Sequence, residues 1–299
     1  MNVLIVESWD GFKWYIDEPI DDPKKFHDAV VLSKGELSVL KTLYELSRGN
    51  EVFVDVGTHV GYYTVRMAKQ YFHVHSFEPN PMNLEKLKRN LELNKISNVT
   101  VHPYALGDRN EMRPLYLAGA SSSLHPPSVD PYNIHKSLGK QVVVQVRRMD
   151  DVLDRADVVK IDVEGWEACV LEGMRNIIEK HKPALIIEHH ELRGYRINSF
   201  GKIRDSLKSA GYIPIFIRDE HVLYYHKTKP MELIEYPVYL AWINHCITNL
   251  KNGKPWYIGV PYTWWWGMGF VDFVQELRDH VTKEPEWLNL IIADRINRR

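Results

Sequence analysis

Val52-Phe-Val-Asp-Val-Gly-Thr-His-Val-Gly-Tyr-Tyr63 is the stretch that decides the fold. Val52 to Val56 is a short, mostly apolar and β-branched run, the composition of a parallel strand buried on both faces. Gly57 and Gly61 follow, and Tyr62 to Lys69 then reads as a helix. Strand, glycine turn and helix start in that order form a cradle. Glycine lets the backbone approach a ligand, and the first helical amides point at it. The spacing lacks the GxGxxG of dinucleotide-binding folds. A turn of this kind serves equally as a tight structural βα loop, so the next strand has to be read with it.

His73 to Phe77 is a second short strand, and it runs into Glu78-Pro79-Asn-Pro. A carboxylate at the tip of the second strand, about 20 residues beyond a glycine turn, accepts hydrogen bonds from the ribose hydroxyls of a nucleoside in the first loop. The loop itself has the acidic-x-Gly-x-x-x-Gly form found in S-adenosylmethionine enzymes. Together these features point to nucleoside-cofactor binding, with Asp55, Gly57, Thr58, His59, Gly61, Tyr62, Glu78 and Pro79 as the candidates.

The chain has 299 residues, 44% of them hydrophobic, and 38 basic against 39 acidic side chains. That length buries a core, and the charge balance argues against a dedicated nucleic-acid binder. Cys169 and Cys246 form no metal-ligand spacing and are expected to be reduced, buried and structural. No apolar stretch approaches the roughly 18 residues of a membrane span, and the first residues lack a basic secretory n-region. A soluble cytoplasmic protein is the expectation.

Three segments are expected. In residues 1–50, Val3 to Val6 and Phe12 to Ile16 pair across Asp10-Gly11. Ser33 and Glu36 form a capping box for a helix that ends near Gly49 and packs on the core. Residues 51–228 alternate strand and helix. Asn80-Pro81 starts a helix with Leu84, Leu87 and Leu91 inward. Strands follow at Val99–Val101, Val142–Val146, Val158–Ile161 and Ala184–Ile187, with one helix spanning Trp166–Ile178 and another Phe200–Ala210. Tyr212–Ile217 and Val222–Tyr225 close as a hairpin. Such βα alternation implies a mostly parallel sheet with helices on both faces. Residues 229–299 differ in composition: Trp264, Trp265 and Trp266 adjoin a helical stripe of Phe270, Phe273, Val274, Leu277 and Val281. This aromatic extension reads as core, as a subunit interface in a homo-oligomer, or as a platform for sugar rings.

A second polar cluster is Lys160-Ile-Asp162-Val-Glu164-Gly165-Trp-Glu167. It falls where a strand meets its helix, facing the same crevice as the glycine loop. Strand alternation puts Lys160 and Asp162 on one side. Glu167 reads as a helix-start charge with no chemistry. Asp162 does not, because a carboxylate ending a buried strand is costly to desolvate.

Asp55-Val-Gly57, Gly61-Tyr-Tyr-Thr, Phe77-Glu78-Pro, Ala105-Leu106-Gly107-Asp108, Lys160-Ile-Asp-Val-Glu-Gly165 and Ile187-Glu188-His-His190 together resemble the FkbM family of methyltransferases, over roughly residues 51 to 217. The resemblance implies a class I, Rossmann-like α/β fold with a seven-stranded sheet that binds S-adenosylmethionine. It also implies methylation of oxygen, commonly a sugar or natural-product hydroxyl. By position, Gly57 and Gly61 approach the methionine part, Glu78 the ribose, and Ala105, Leu106 and Asp108 the adenine. A serine near the transferred methyl makes Ser122, Ser123 and His125 substrate-side candidates, and a sugar platform would add Trp264 and Trp265. His59 departs from the family, which usually has a small residue there.

An alcohol is a poor nucleophile until its proton begins to leave, so a base is wanted. The candidates are Asp162, Glu164, Glu188 and His190. One arrangement is a neutral His190 oriented by Glu188. The same group could instead hold a divalent ion that acidifies the hydroxyl, although no ligand spacing favours it. Methylation of a sugar or glycan hydroxyl is the leading expectation. RNA methylation and a non-catalytic binding module are the alternatives.

Overall fold

The structure is a computed structural model and describes residues 4–16, 36–126, 140–190, 199–218 and 220–229. Strands β1 (Leu4–Glu7) and β2 (Lys13–Ile16) form an antiparallel hairpin across Asp10-Gly11. Trp14 and Ile16 are buried, and the backbone amides of Lys13 and Tyr15 donate to the side chains of Asn94, the C-cap of α3 (Pro81–Leu93), and of Asn90 within that helix. Arg66, fully buried, is clasped by Asp10 at 2.6 Å and lies over the rings of Trp14 and Tyr62. A buried guanidinium needs such partners, and they fasten the hairpin to α2 (Tyr62–Met67).

Helix α1 (Leu37–Leu46) has Glu36 at its N-cap with no side-chain cap bond. Ser33, the expected capping residue, lies outside the described residues. α1 rests on α2 and on the strand β11 (Tyr212–Arg218).

The main sheet contains β3 (Val52–Val56), β4 (His73–Phe77), β5 (Val99–His102), β9 (Val158–Ile161), β10 (Ala184–Glu188), β11 and β12 (His221–His226). Their order is β11-β12-β10-β9-β3-β4-β5, with the pairs from β10 to β5 parallel and β12 antiparallel to both its neighbours. Alternate residues feed two cores. Phe53, Ile186 and Leu223 join α1, α2 and α3 on one face. Val54, Leu185, Ile187 and Tyr224 join α4 (Glu167–Glu172), α5 (Arg175–His181) and α6 (Phe200–Ser209) on the other. This is a Rossmann-like α/β sheet with helices on both faces.

Two elements differ from expectation. The helix expected over Trp166–Ile178 is two helices, broken at Gly173-Met174, and Ile178 is only partly buried. A Cβ at Gly173 would collide with the carbonyl of Gly107, so the backbones meet where the continuous helix would run. The strand β8 (Gln141–Arg147) lies outside the main sheet. It is the centre of a three-stranded sheet between β6 (Ala105–Leu106) and β7 (Glu111–Tyr116). β7 has no counterpart in the sequence reading because Pro114 interrupts its pattern. An edge strand tolerates proline, and β7 is an edge. Cys169, expected to be buried, is half-buried; Cys246 lies outside the described residues.

Candidate active site

Parallel strands open their carboxyl ends onto one crevice, and the loops after β3, β4, β9 and β10 meet there. After β3 the amides of Gly57 and Thr58 both donate to the carbonyl of Phe77 at the end of β4. Gly57, His59 and Gly61 all have positive φ (83°, 53° and 99°). The glycines answer to packing. A Cβ on Gly57 would collide with the carbonyl of Asp162, and one on Gly61 would press on Leu87 at 2.7 Å. Gly57 therefore lets the loops after β3 and β9 touch.

Glu78 stands at the tip of β4 and is buried. Its carboxylate accepts from the amides of His59 and Asn80, each at 2.8 Å, and from the Asn83 side chain at 3.3 Å. Burial outweighs these donors and raises its pKa to about 7. It lines an open cleft with Gly57, His59, Pro79, Ala105 and Leu106, together with apolar Phe77, Leu115 and Leu124. An apolar lining beside a buried acceptor is the chemistry that a nucleoside site requires. Asn83, Leu115 and Leu124 were missed because their positions carry no local signal.

Gly57, His59, Ala120, Asp162 and Glu164 also line a second hollow, completed by Glu36, Thr58, Tyr62, Tyr63 and Glu188. The two spaces thus share a wall. Asp55, Gly61 and Asp108 do not line either. Asp55 is buried, accepts from the Thr64 hydroxyl at 2.7 Å, and belongs to the support of the loop. Asp108 pairs with exposed Arg109 on the outside.

The second cluster is assembled by the turn after β9. Glu164 and Gly165 both have positive φ (51° and 99°), a conformation a non-glycine residue adopts at a cost. Lys160, buried, places its ammonium 2.6 Å from Asp162 and 3.8 Å from Glu188. Burial pushes the Asp162 carboxyl up, and Glu188 pushes it further against the pull of Lys160.

His190 is where the expected arrangement fails. Its Nδ1 meets Glu167 Oε1 at 2.7 Å, its Nε2 meets Glu164 Oε2 at 3.1 Å, and Glu188 is 3.8 Å away. Burial lowers its pKa, but Glu164 and Glu167 more than reverse this and hold it well above the usual imidazole range. The expected neutral base oriented by Glu188 is not the arrangement found, because Glu164 and Glu167 are the nearer carboxylates and both favour the charged ring. Glu167, read as an inert helix-start charge, is fully buried and also accepts from the Gly165 amide at 2.8 Å.

Of the expected substrate-side residues, Ser122 lines the first cavity. Ser123 is buried and donates to the carbonyl of Glu164 at 2.6 Å, and His125 Nε2 lies 2.9 Å from the carbonyl of Gly165. Both brace the turn that carries Glu164 and face neither hollow. Trp166, which sequence reasoning passed over, lines the first cavity beneath the Arg113 guanidinium, 4.4 Å from its ring. Trp264 and Trp265 lie outside the described residues. No helix among the described residues is long and apolar enough to cross a membrane.

The fold is a Rossmann-like α/β sheet whose crevice opens at the ends of β3, β4, β9 and β10. The Methyltransferase FkbM domain matches residues 55–214, more than half of the chain, and the chain belongs to that family. The chain is 28% identical over 193 residues to the hexuronic acid methyltransferase AglP of Haloferax volcanii, covering 62% of this chain and 75% of that one. It is 30% identical over 144 residues to Methyltransferase 1 of Beauveria bassiana, covering 40% of this chain and 57% of the relative. The crystal structure of a methyltransferase FkbM from Methylobacillus flagellatus KT is similar at 22% identity and a TM-score of 0.42, over 59% of this chain and 44% of that one.

Proposed function

We propose that the protein is an S-adenosylmethionine-dependent O-methyltransferase whose acceptor is a hydroxyl of a sugar or glycan. The observation that carries the reading is the wall shared by the two hollows, with buried Glu78 on one side and Asp162 at the junction. Glu78 would take the ribose hydroxyls, and Phe77, Ala105 and Leu106 the adenine. When bound, the cofactor supplies a methyl group already activated by its sulfonium. The chain's own work is to hold an acceptor oxygen in line and to remove its proton. Positioning of this kind contributes about 7–11 kcal/mol.

Asp162 is assigned as the base. It reaches both spaces, and burial next to Glu188 moves its pKa towards neutrality, where a general base works best. Lys160 holds its second oxygen and offsets the charge around it. Glu167 and His190 fix the position of Glu164, so these two are positioning residues. Glu36, Asp162, Glu164 and Glu188 line the second hollow, and four carboxylates suit a hydroxyl-bearing acceptor without negative charge of its own. The Haloferax relative is named for hexuronic acid. An acidic sugar here would have to turn its carboxylate outward or meet it with a cation.

A methyl-transfer assay over neutral glycosides, amino sugars, hexuronosides and RNA tests the reading. Transfer to a neutral glycoside or amino sugar is expected. Transfer to RNA alone, with steeply salt-dependent binding, would replace the sugar acceptor. Cofactor binding with no product from any class would point to a non-catalytic cradle.

A further inference from the structure

We propose that Glu188, Glu220 and His221 form a divalent-cation site beside the second hollow, whose lining includes Glu188. Glu188 ends β10 and pairs in register with His221, which opens β12. The His189 amide donates to the carbonyl of Glu220 at 2.9 Å and fixes the crossing point. The antiparallel insertion of β12 thus brings two carboxylates and an imidazole together from separate elements. Their donor atoms lie within 4.8 Å of one another, and all three residues are buried. Ligands about 2.0–2.2 Å from a common ion stand roughly 3–3.5 Å apart, so an ion would draw these donors together. Glu36 faces the same point, with its Oε2 3.4 Å from His221 Nε2, and Glu188 Oε2 lies 3.2 Å from that nitrogen.

His221 supplies the independent sign. It is 2% exposed, and neither of its ring nitrogens makes a hydrogen bond. An imidazole buried in that state carries a desolvation cost that a metal bond would remove. The neighbouring trio of Asp162, Glu188 and His190 also has its donors within 4.8 Å. That trio already contains its own cations: Lys160 sits against Asp162, and His190 is held by Glu164 and Glu167. A further positive ion is better placed on the His221 side.

One imidazole with two carboxylates suits Mn²⁺, Fe²⁺ or Zn²⁺ better than the all-oxygen preference of Mg²⁺ or Ca²⁺. Three protein donors leave positions for water or an acceptor hydroxyl. Glu188 lines the second hollow, as does Glu36 beside the site. The cation would also offset the negative wall, which an acidic sugar would otherwise meet unscreened.

The inference does not rest on methyl transfer, since metal binding is measurable without acceptor or cofactor. Chelator-stripped protein is titrated with MnCl₂ by electron paramagnetic resonance and with ZnCl₂ by calorimetry. One saturable site per chain is expected. His221→Ala and Glu220→Gln should each weaken it by about tenfold or more, and Asp162→Asn should leave it in place. Zn²⁺ should also displace the ¹⁵N resonances of the His221 ring in the unmutated protein, a readout that survives if His221→Ala fails to fold. Absence of a saturable site, binding undiminished in Glu220→Gln, or His221 resonances indifferent to Zn²⁺ would overturn the inference. His221 would then be an imidazole ion-paired with Glu188 and Glu36 only.

Discussion

Replacing Glu167 with Gln removes one of the two carboxylates that hold His190 charged, while keeping the shape of the turn. Both side chains are fully buried, and their contact is 2.7 Å. Breaking a buried pair from one side costs about 3–5 kcal/mol. The lower end applies because Glu164 still faces Nε2 at 3.1 Å. Loss of the Glu167 charge also lowers the midpoint of His190, because one of the two carboxylates that raise it is gone. In the native chain that midpoint stands well above 6.5. A cation with a raised folded midpoint contributes stability that is complete below the unfolded value. The contribution is lost as pH rises through the folded midpoint. Native and Glu167→Gln proteins should therefore differ most in denaturant melts near pH 6 and converge at alkaline pH. The ¹⁵N-resolved titration of His190 gives the midpoint directly. A native His190 that titrates near 6.5, or a Glu167→Gln variant of equal stability at pH 6, would refute the assignment.

Glu78→Gln should weaken S-adenosylhomocysteine by about tenfold or more, since hydrogen bonds to a charged group contribute about 1.5–3 kcal/mol, and calorimetry reads this. In the native protein cofactor affinity should rise with pH through about 7 as Glu78 ionises, while the cofactor-free protein loses stability over the same rise because the raised acid must give up its proton; both trends should flatten in Glu78→Gln. Asp162→Asn should lower kcat by about 10²–10⁴, and steady-state assays with an identified acceptor check it. Gly201→Ala lies in α6, where a Cβ meets nothing within 4 Å, and should stabilise by about 0.5–1 kcal/mol. Gly57→Ala should destabilise, because its Cβ would enter the carbonyl of Asp162; thermal melts of the two separate these outcomes.

Most of the main sheet is legible in the sequence because its strands are short apolar runs punctuated by glycine, proline and acid. Gly57, Glu78 and Asp162 are legible for the same reason, as each ends or follows such a run. What the sequence hides is set by long-range approach. Glu167 looks like a helix-start charge until the loop after β10 brings His190 against it from 23 residues away. Gly173 reads as tolerable within a helix until Gly107 arrives beside it. His221 acquires significance only because β12 inserts antiparallel beside β10. Serine and histidine in Ser123 and His125 suggest substrate contacts by type, yet both are used to brace the strained Glu164–Gly165 turn.

The most direct test of the central claim is calorimetric titration of S-adenosylhomocysteine into the unmutated protein, with folding verified in the same sample. The account predicts one site per chain, strengthened as pH rises through 7 and weakened in Glu78→Gln. A folded protein that binds no S-adenosylhomocysteine, or binds it equally well without the Glu78 carboxylate, would contradict it.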